Sequence, residues 1–156
     1  MEKVQIGKIL CGIDFSESSQ HALQYALDLA RRYEADLALL HVVELPFLPS
    51  YSMSGVPDLS MPVDQLEQNA RERLEERVGQ CRQEYEQVDG DLRTGAPFVE
   101  LIDYAQEVGA DLIVLGTHGR SALKELLIGS VAEKVVRKAD CPVLTVKHPS
   151  HTFEKP

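Results

Sequence analysis

Three glycines and a serine toward the C-terminal end of the chain stand at a spacing that can hold a phosphate group. Gly116-Thr117-His118-Gly119 is followed, after nine residues, by Gly129-Ser130. Glycine lets a backbone come close to a bulky anion and permits positive φ. Residues 131–139 carry a helical pattern, and the unpaired N–H groups of a helix N-terminus attract negative charge together with the helix dipole. Ser130 is placed to act both as the N-cap of that helix and as a hydroxyl donor to a phosphate. The same residues also suit a plain tight turn at Gly116 and an ordinary helix start at Ser130.

Other chemistries lack their residues. Gly90 to Gly95 has the glycine spacing of a phosphate-binding P-loop, but Ala96 and Pro97 stand where lysine and a hydroxyl residue are needed. No G-x-G-x-x-G fingerprint follows the first apolar run. A phosphoacceptor receiver domain needs clustered acids after its first strand and an aspartate ending its third; here Asp14 stands alone and Thr94 ends the third. No nucleophile elbow or Ser-His-Asp arrangement is legible. His118, between the two loop glycines, could act as a general acid or base; the alternatives are that it orders the loop or faces solvent. His41 sits inside an apolar strand and reads as a packed histidine. His21, His148 and His151 have no metal-ligand spacing, and no metal ligand and no catalytic residue is assigned. Cys11, Cys81 and Cys141 are odd in number and far apart, which suits reduced thiols packed as small apolar residues.

The elements that must position the glycines follow from periodicity. Lys8 to Ile13, Leu37 to Val43, Val88 to Thr94, Asp111 to Leu115 and Val143 to Val146 read as strands. Between them Ala22 to Tyr33, Leu66 to Tyr85, Phe98 to Val108 and Ser130 to Ala139 read as helices. Ser16 caps the first helix, Pro97 opens the third and Gly109 ends it. Residues 45–63 hold four prolines and four serines and read as a loop. Strands that alternate with helices and are nearly uniformly apolar form a parallel sheet covered on both faces. Such α/β folds bind ligands at the carboxyl ends of the strands. Asp14, Val42 and Gly116 all fall there.

The chain of 156 residues suits one compact domain over 1–156, and its formal net charge is −9. That charge disfavours nucleic acid and anionic membrane surfaces. It disfavours any free phosphate compound too, so a phosphate site has to be built locally from backbone N–H groups. No secretory signal and no run long enough to span a bilayer is present, so a soluble cytoplasmic protein is expected.

The stretch GTHGRSALKELLIGSVAEKVVRKADCPVLTVK resembles the C-terminal signature of the universal stress protein family. In the ATP-binding branch of that family the pattern is glycine, two residues, glycine, nine residues, glycine, then serine or threonine, and it is complete here. ILCGIDFSESSQHAL, LLHVVE and RTGAPFVELIDYAQEVGADLIVLG extend the resemblance over nearly the whole chain outside residues 45–63. It implies a doubly wound, Rossmann-like parallel sheet of strand order 3-2-1-4-5. It also implies ATP or AMP as ligand, with magnesium accompanying the phosphates. Asp14 would contact the nucleoside end, with Gly12 and Ile13 flanking the pocket. The backbone of Val42 would read the adenine edge, and Gly116 would lie against the ribose. Gly119, Gly129, Ser130 and Val131 would cradle the phosphates, and the loop carrying His118 and Arg120 would close over them. The family commonly dimerises through its last strand, which implies a homodimer through Val143 to Val146, with a tetramer also compatible. The function so implied is a nucleotide-dependent stress-response or signalling module that acts on a protein partner; the competing reading is a slow magnesium-dependent ATPase using His118. Residues 45–63 are expected to vary, and residues 148–156 to form a flexible tail.

Overall fold

The computed structural model describes residues 3–44, 63–118 and 128–149. The first strand, β1, runs from Lys8 to Gly12, and α1 follows over Glu17–Tyr33. Ser16 caps α1 as its composition predicts, its side chain accepting a hydrogen bond from the Ser19 N–H. β2 spans Asp36–Val43 and α2 Val63–Arg82. Then come β3 (Val88–Thr94), α3 (Pro97–Val108), β4 (Leu112–Gly116), α4 (Ser130–Lys138) and β5 (Val143–Val146). All pairings are parallel, and the strand order is β3-β2-β1-β4-β5, the order the resemblance implies.

Side chains that alternate along each central strand divide between two cores. Ile9 and Cys11 of β1, Leu37 and Leu39 of β2 and Val114 of β4 pack under α1 and α2. Leu10, Ala38, Leu40, Ile113 and Leu115 pack on the other face, against Leu101 and Ala105 of α3 and Ala132 and Val135 of α4. Both faces being covered explains why these strands read as unbroken apolar runs. All three cysteines are free thiols, and Cys11 and Cys81 are buried. Burial pushes the Cys11 thiol far above its ordinary pKa, and it moves Cys81 and Cys141 the same way, so the thiols stay neutral.

Several element ends differ from the sequence reading. β1 stops at Gly12, although the Ile13 N–H still donates to Leu40 O at 2.8 Å. α2 begins at Val63 and ends at Arg82, so Tyr85 packs on the core from beyond the helix, its hydroxyl on Ala35 O at 2.9 Å. Asp111 stands just before β4 because its carboxylate is occupied by the Gly7 and Lys8 N–H groups, at 2.8 and 2.9 Å. Of the expected loop 45–63 all but Val63 lies outside the described residues, as does the tail beyond Pro149. Among the described residues no helix is long and apolar enough to cross a membrane.

Candidate functional site

Strand order reverses between β1 and β4. β1 leads outward to β2 and β3, whereas β4 leads the other way to β5. A crevice outside the carboxyl ends of the strands belongs at that reversal. The chain after β4 turns there under tight constraint. A Cβ on Gly116 would lie 2.5 Å from Ser18 Oγ and 2.8 Å from the Ser18 backbone carbon and oxygen, so only glycine lets β4 end against the first turn of α1. On the other face a Cβ on Gly12 would meet side chains instead of backbone, Leu115 Cδ2 at 2.6 Å and Leu101 Cδ2 at 3.0 Å.

Beyond Gly116 the backbone is tied down residue by residue. The Thr117 N–H donates to Val146 O at 3.1 Å. The His118 N–H donates to Ser18 Oγ at 3.4 Å, and His118 Nδ1 lies 2.9 Å from Thr117 Oγ1. Thr117 and His118 are both buried, with His118 only 5% exposed. Of the roles weighed for His118, this excludes a ring facing solvent. The Gly129 N–H then donates to Thr117 O, so the two halves of the glycine motif meet although eleven residues separate them.

That contact sets the N-terminus of α4 beside the end of β4. The N-cap of α4 is Gly129, with no side-chain cap, and Ser130 is the first helical residue. This corrects the expected capping role of Ser130, which stands one residue inside the helix. The first bond within the helix runs from the Glu133 N–H to Gly129 O, so the N–H groups of Ser130, Val131 and Ala132 have no partner within it. The dipole of α4 adds the equivalent of about half a positive charge there. In a chain of net charge −9 this is the local attraction an anion needs.

Asp14 and Val42 lie on the other side of the reversal. Asp14 Oδ1 accepts from the Ser16 N–H at 2.9 Å and from Ser16 Oγ at 2.5 Å, which fixes the carboxylate over the start of α1. β2 overruns β1. The pairing of the two strands ends at Gly12 with Leu40, and Leu40 O accepts from Ile13. Backbone direction alternates along a strand, so the N–H and C=O of Val42 also point to that side, past the place where β1 has stopped. Val43 points the other way, its carbonyl accepting from the Gly95 N–H at 3.0 Å. Val42 thus directs one donor and one acceptor to the side of β2 that β1 has left, at the carboxyl edge of the sheet.

Of the expected site residues, Gly12, Ile13, Asp14, Val42, Gly116, His118, Gly129, Ser130 and Val131 all fall at this one edge of the sheet. Gly119 and Arg120 lie outside the described residues. Among the described residues no group of three or more His, Cys, Asp or Glu side chains could hold a metal ion.

Known proteins share this fold. Residues 5–147 match the universal stress protein family. The chain belongs to that family. The stress response protein NhaX of Bacillus subtilis is 35% identical over 161 residues, covering 90% of this chain and 97% of that protein. The structure of the universal stress protein UspA from Lactobacillus plantarum superimposes with a TM-score of 0.76 at 26% identity, over 92% of this chain and 99% of that one. A universal stress protein from Archaeoglobus fulgidus, solved in complex with dAMP, superimposes with a TM-score of 0.61 at 25% identity, over 92% and 98% of the two chains.

Four residues of this universal stress protein adjoin the expected site residues and carry no site role in the sequence: Ser18 and Thr117 lie against His118, His41 Nδ1 lies 2.7 Å from Ile13 O, and the Phe15 ring packs on His41. Ser18 lies in a run of serines that signals only a helix start, and Thr117 is hidden between more conspicuous neighbours. His41 gave a signal, a polar residue within an apolar strand, and it is indeed packed, at 5% exposure.

Proposed function

We propose that this chain binds an adenine nucleotide, ATP or AMP, in the crevice between β1 and β4 and works as a nucleotide-dependent stress-response or signalling module. The hydrogen bond from Gly129 to Thr117 carries the reading, because it sets an uncapped helix N-terminus at the carboxyl edge that also presents Val42 and Asp14. The N–H groups of Ser130 and Val131 hold phosphate, Gly116 lies along the ribose, and Asp14 takes the nucleoside end. The N–H and C=O of Val42 match the acceptor and donor on the adenine edge. Gly119 and Arg120 complete the phosphate contacts, and magnesium comes with the phosphates of ATP. The dAMP bound by the Archaeoglobus fulgidus relative supports a ligand of this class. The setting proposed is a single cytoplasmic domain whose ligated loop is read by a protein partner.

A thermal melt with and without ATP and magnesium tests this directly. A ligand at about a hundred times its dissociation constant adds roughly 2.7 kcal/mol. At about 2–4 °C per kcal/mol, the midpoint should rise by roughly 5–11 °C with ATP and not with GTP. No shift with ATP, ADP or AMP, in protein shown to carry no co-purified nucleotide, overturns the reading. Phosphate release that keeps pace with binding would instead favour the ATPase reading.

The proposed homodimer pairs β5 with its copy. The carbonyls of Pro142 and Val146 face β4, accepting from Ile113 and Thr117. By alternation Thr145 points outward along the open edge. Thr145→Pro removes an outward donor while sparing the β4 ladder, so sedimentation should show a dimer becoming a monomer with its fold retained. A Thr145→Pro chain that still sediments as a dimer places the interface elsewhere.

A further inference from the structure

The turn between β1 and α1 holds a backbone conformation that its residue disfavours. Two residues other than glycine have left-handed φ among the described residues, Glu34 at 54° and Phe15 at 63°. Glu34 closes α1, where that conformation is ordinary. Phe15 closes nothing. A bulky aromatic side chain at positive φ is a true outlier, and it persists only where its surroundings over-determine it.

Those surroundings converge on Asp14. The Phe15 ring lies 4.5 Å from the His41 ring, at 44°, and the Arg73 guanidinium of α2 sits over it at 4.1 Å. His41 also holds the other neighbour of Asp14. Its Nδ1 is 2.7 Å from Ile13 O, and since a carbonyl only accepts, the ring donates. One buried histidine therefore fixes both the residue before Asp14 and the residue after it. The left-handed turn at Phe15 lets the chain double back, so that the Asp14 carboxylate meets Ser16 at the cap of α1. His41 is itself next to Val42, so the same contact sets the spacing between the two groups assigned to the nucleoside.

We propose that Phe15, held by His41 and Arg73, is a positioning residue that presents Asp14 to the nucleoside end of the ligand. This rests on the adenine-nucleotide reading above. A ligating carboxylate gains its precision from the shell that supports it, and here the supporting ring touches no ligand atom that the proposal requires. Its effect on binding should therefore pass entirely through Asp14.

The test is a double-mutant cycle on the full chain, with AMP affinity read by calorimetry and folding checked by circular dichroism. Phe15→Asn removes the ring yet tolerates the left-handed turn. It should weaken AMP binding about tenfold, the lower end of what loss of an outer-shell partner costs a ligating group. Phe15→Tyr, which keeps the ring, should restore the affinity. In the Asp14→Ala background Phe15→Asn should cost nothing further, since the group it positions is already gone. Should the asparagine variant fail to fold, Phe15→Leu gives the same cycle with the bulk kept and the planar ring lost. Wild-type affinity in the ring-deleted chain, or losses that simply multiply in the double variant, overturns the positioning role alone. A wild-type chain that binds neither AMP nor ATP overturns the nucleotide reading and this inference together.

Discussion

Gly129→Val should leave the chain folded and without measurable affinity for ATP or AMP. Gly129 has φ −66° and ψ 156°, an extended conformation that valine adopts readily, so no backbone strain is introduced. Valine is a poor N-cap, and substitutions of capping residues cost about 0.5–2 kcal/mol. At roughly 2–4 °C per kcal/mol the midpoint should fall by only a few degrees. Binding responds quite differently. The branched side chain would stand at the N-cap, in front of the N–H groups of Ser130 and Val131 that are to receive phosphate. A loss of at least about a hundredfold, some 2.7 kcal/mol, is expected by titration calorimetry. A valine variant that binds ATP as tightly as its parent would remove the phosphate role of α4.

Gly116→Val should have the opposite balance, with stability as its main casualty. Its Cβ would have to occupy space 2.8 Å from the Ser18 backbone, and a collision with backbone cannot be relieved by turning a side chain. Overpacking of this kind costs typically 1–3 kcal/mol, and the two extra methyl groups of valine place the expectation at about 3 kcal/mol. The midpoint should then drop by roughly 6–12 °C in the absence of any ligand. An unchanged midpoint would mean that α1 and β4 slide apart freely, contrary to the tight approach seen here. The two glycines thus separate what one motif combines: on the proposed function Gly129 keeps space for the ligand, whereas Gly116 keeps space for the protein.

That distinction was not legible in the sequence, where both are glycines at a fixed spacing. What was legible follows from periodicity and end signals. β3 and β5 have the bounds expected, as does α3 from Pro97 to its left-handed close at Gly109. These ends are marked by residues whose local chemistry settles the matter, a proline that needs no N–H and a glycine free to turn left. Where the deciding contact is distant in sequence, the reading slipped. Asp111 looked like strand because nothing near it shows that its carboxylate belongs to Gly7 and Lys8. Ser130 looked like an N-cap because serine prefers that position, but the bond between Gly129 and Thr117 sets the helix start one residue earlier. Strand order came from the resemblance, since connection lengths alone do not say on which side of β1 each strand lands. The left-handed Phe15 had no sequence signal at all; an aromatic residue is the wrong type for that conformation, and the contacts that hold its ring, with His41, Arg73 and the core under α1, come from elements distant in sequence.

The bond from Gly129 to Thr117 has a bearing on how such a chain can change over time. It fastens Thr117 to Gly129 across the eleven residues between them, and Thr117 is tied in turn to Val146 of β5. For a chain closed on itself, doubling the length costs only about 0.6 kcal/mol of additional entropy. A change in the length of chain between the anchors should therefore cost folding little. A lineage could then vary this stretch of sequence without renegotiating the sheet beneath.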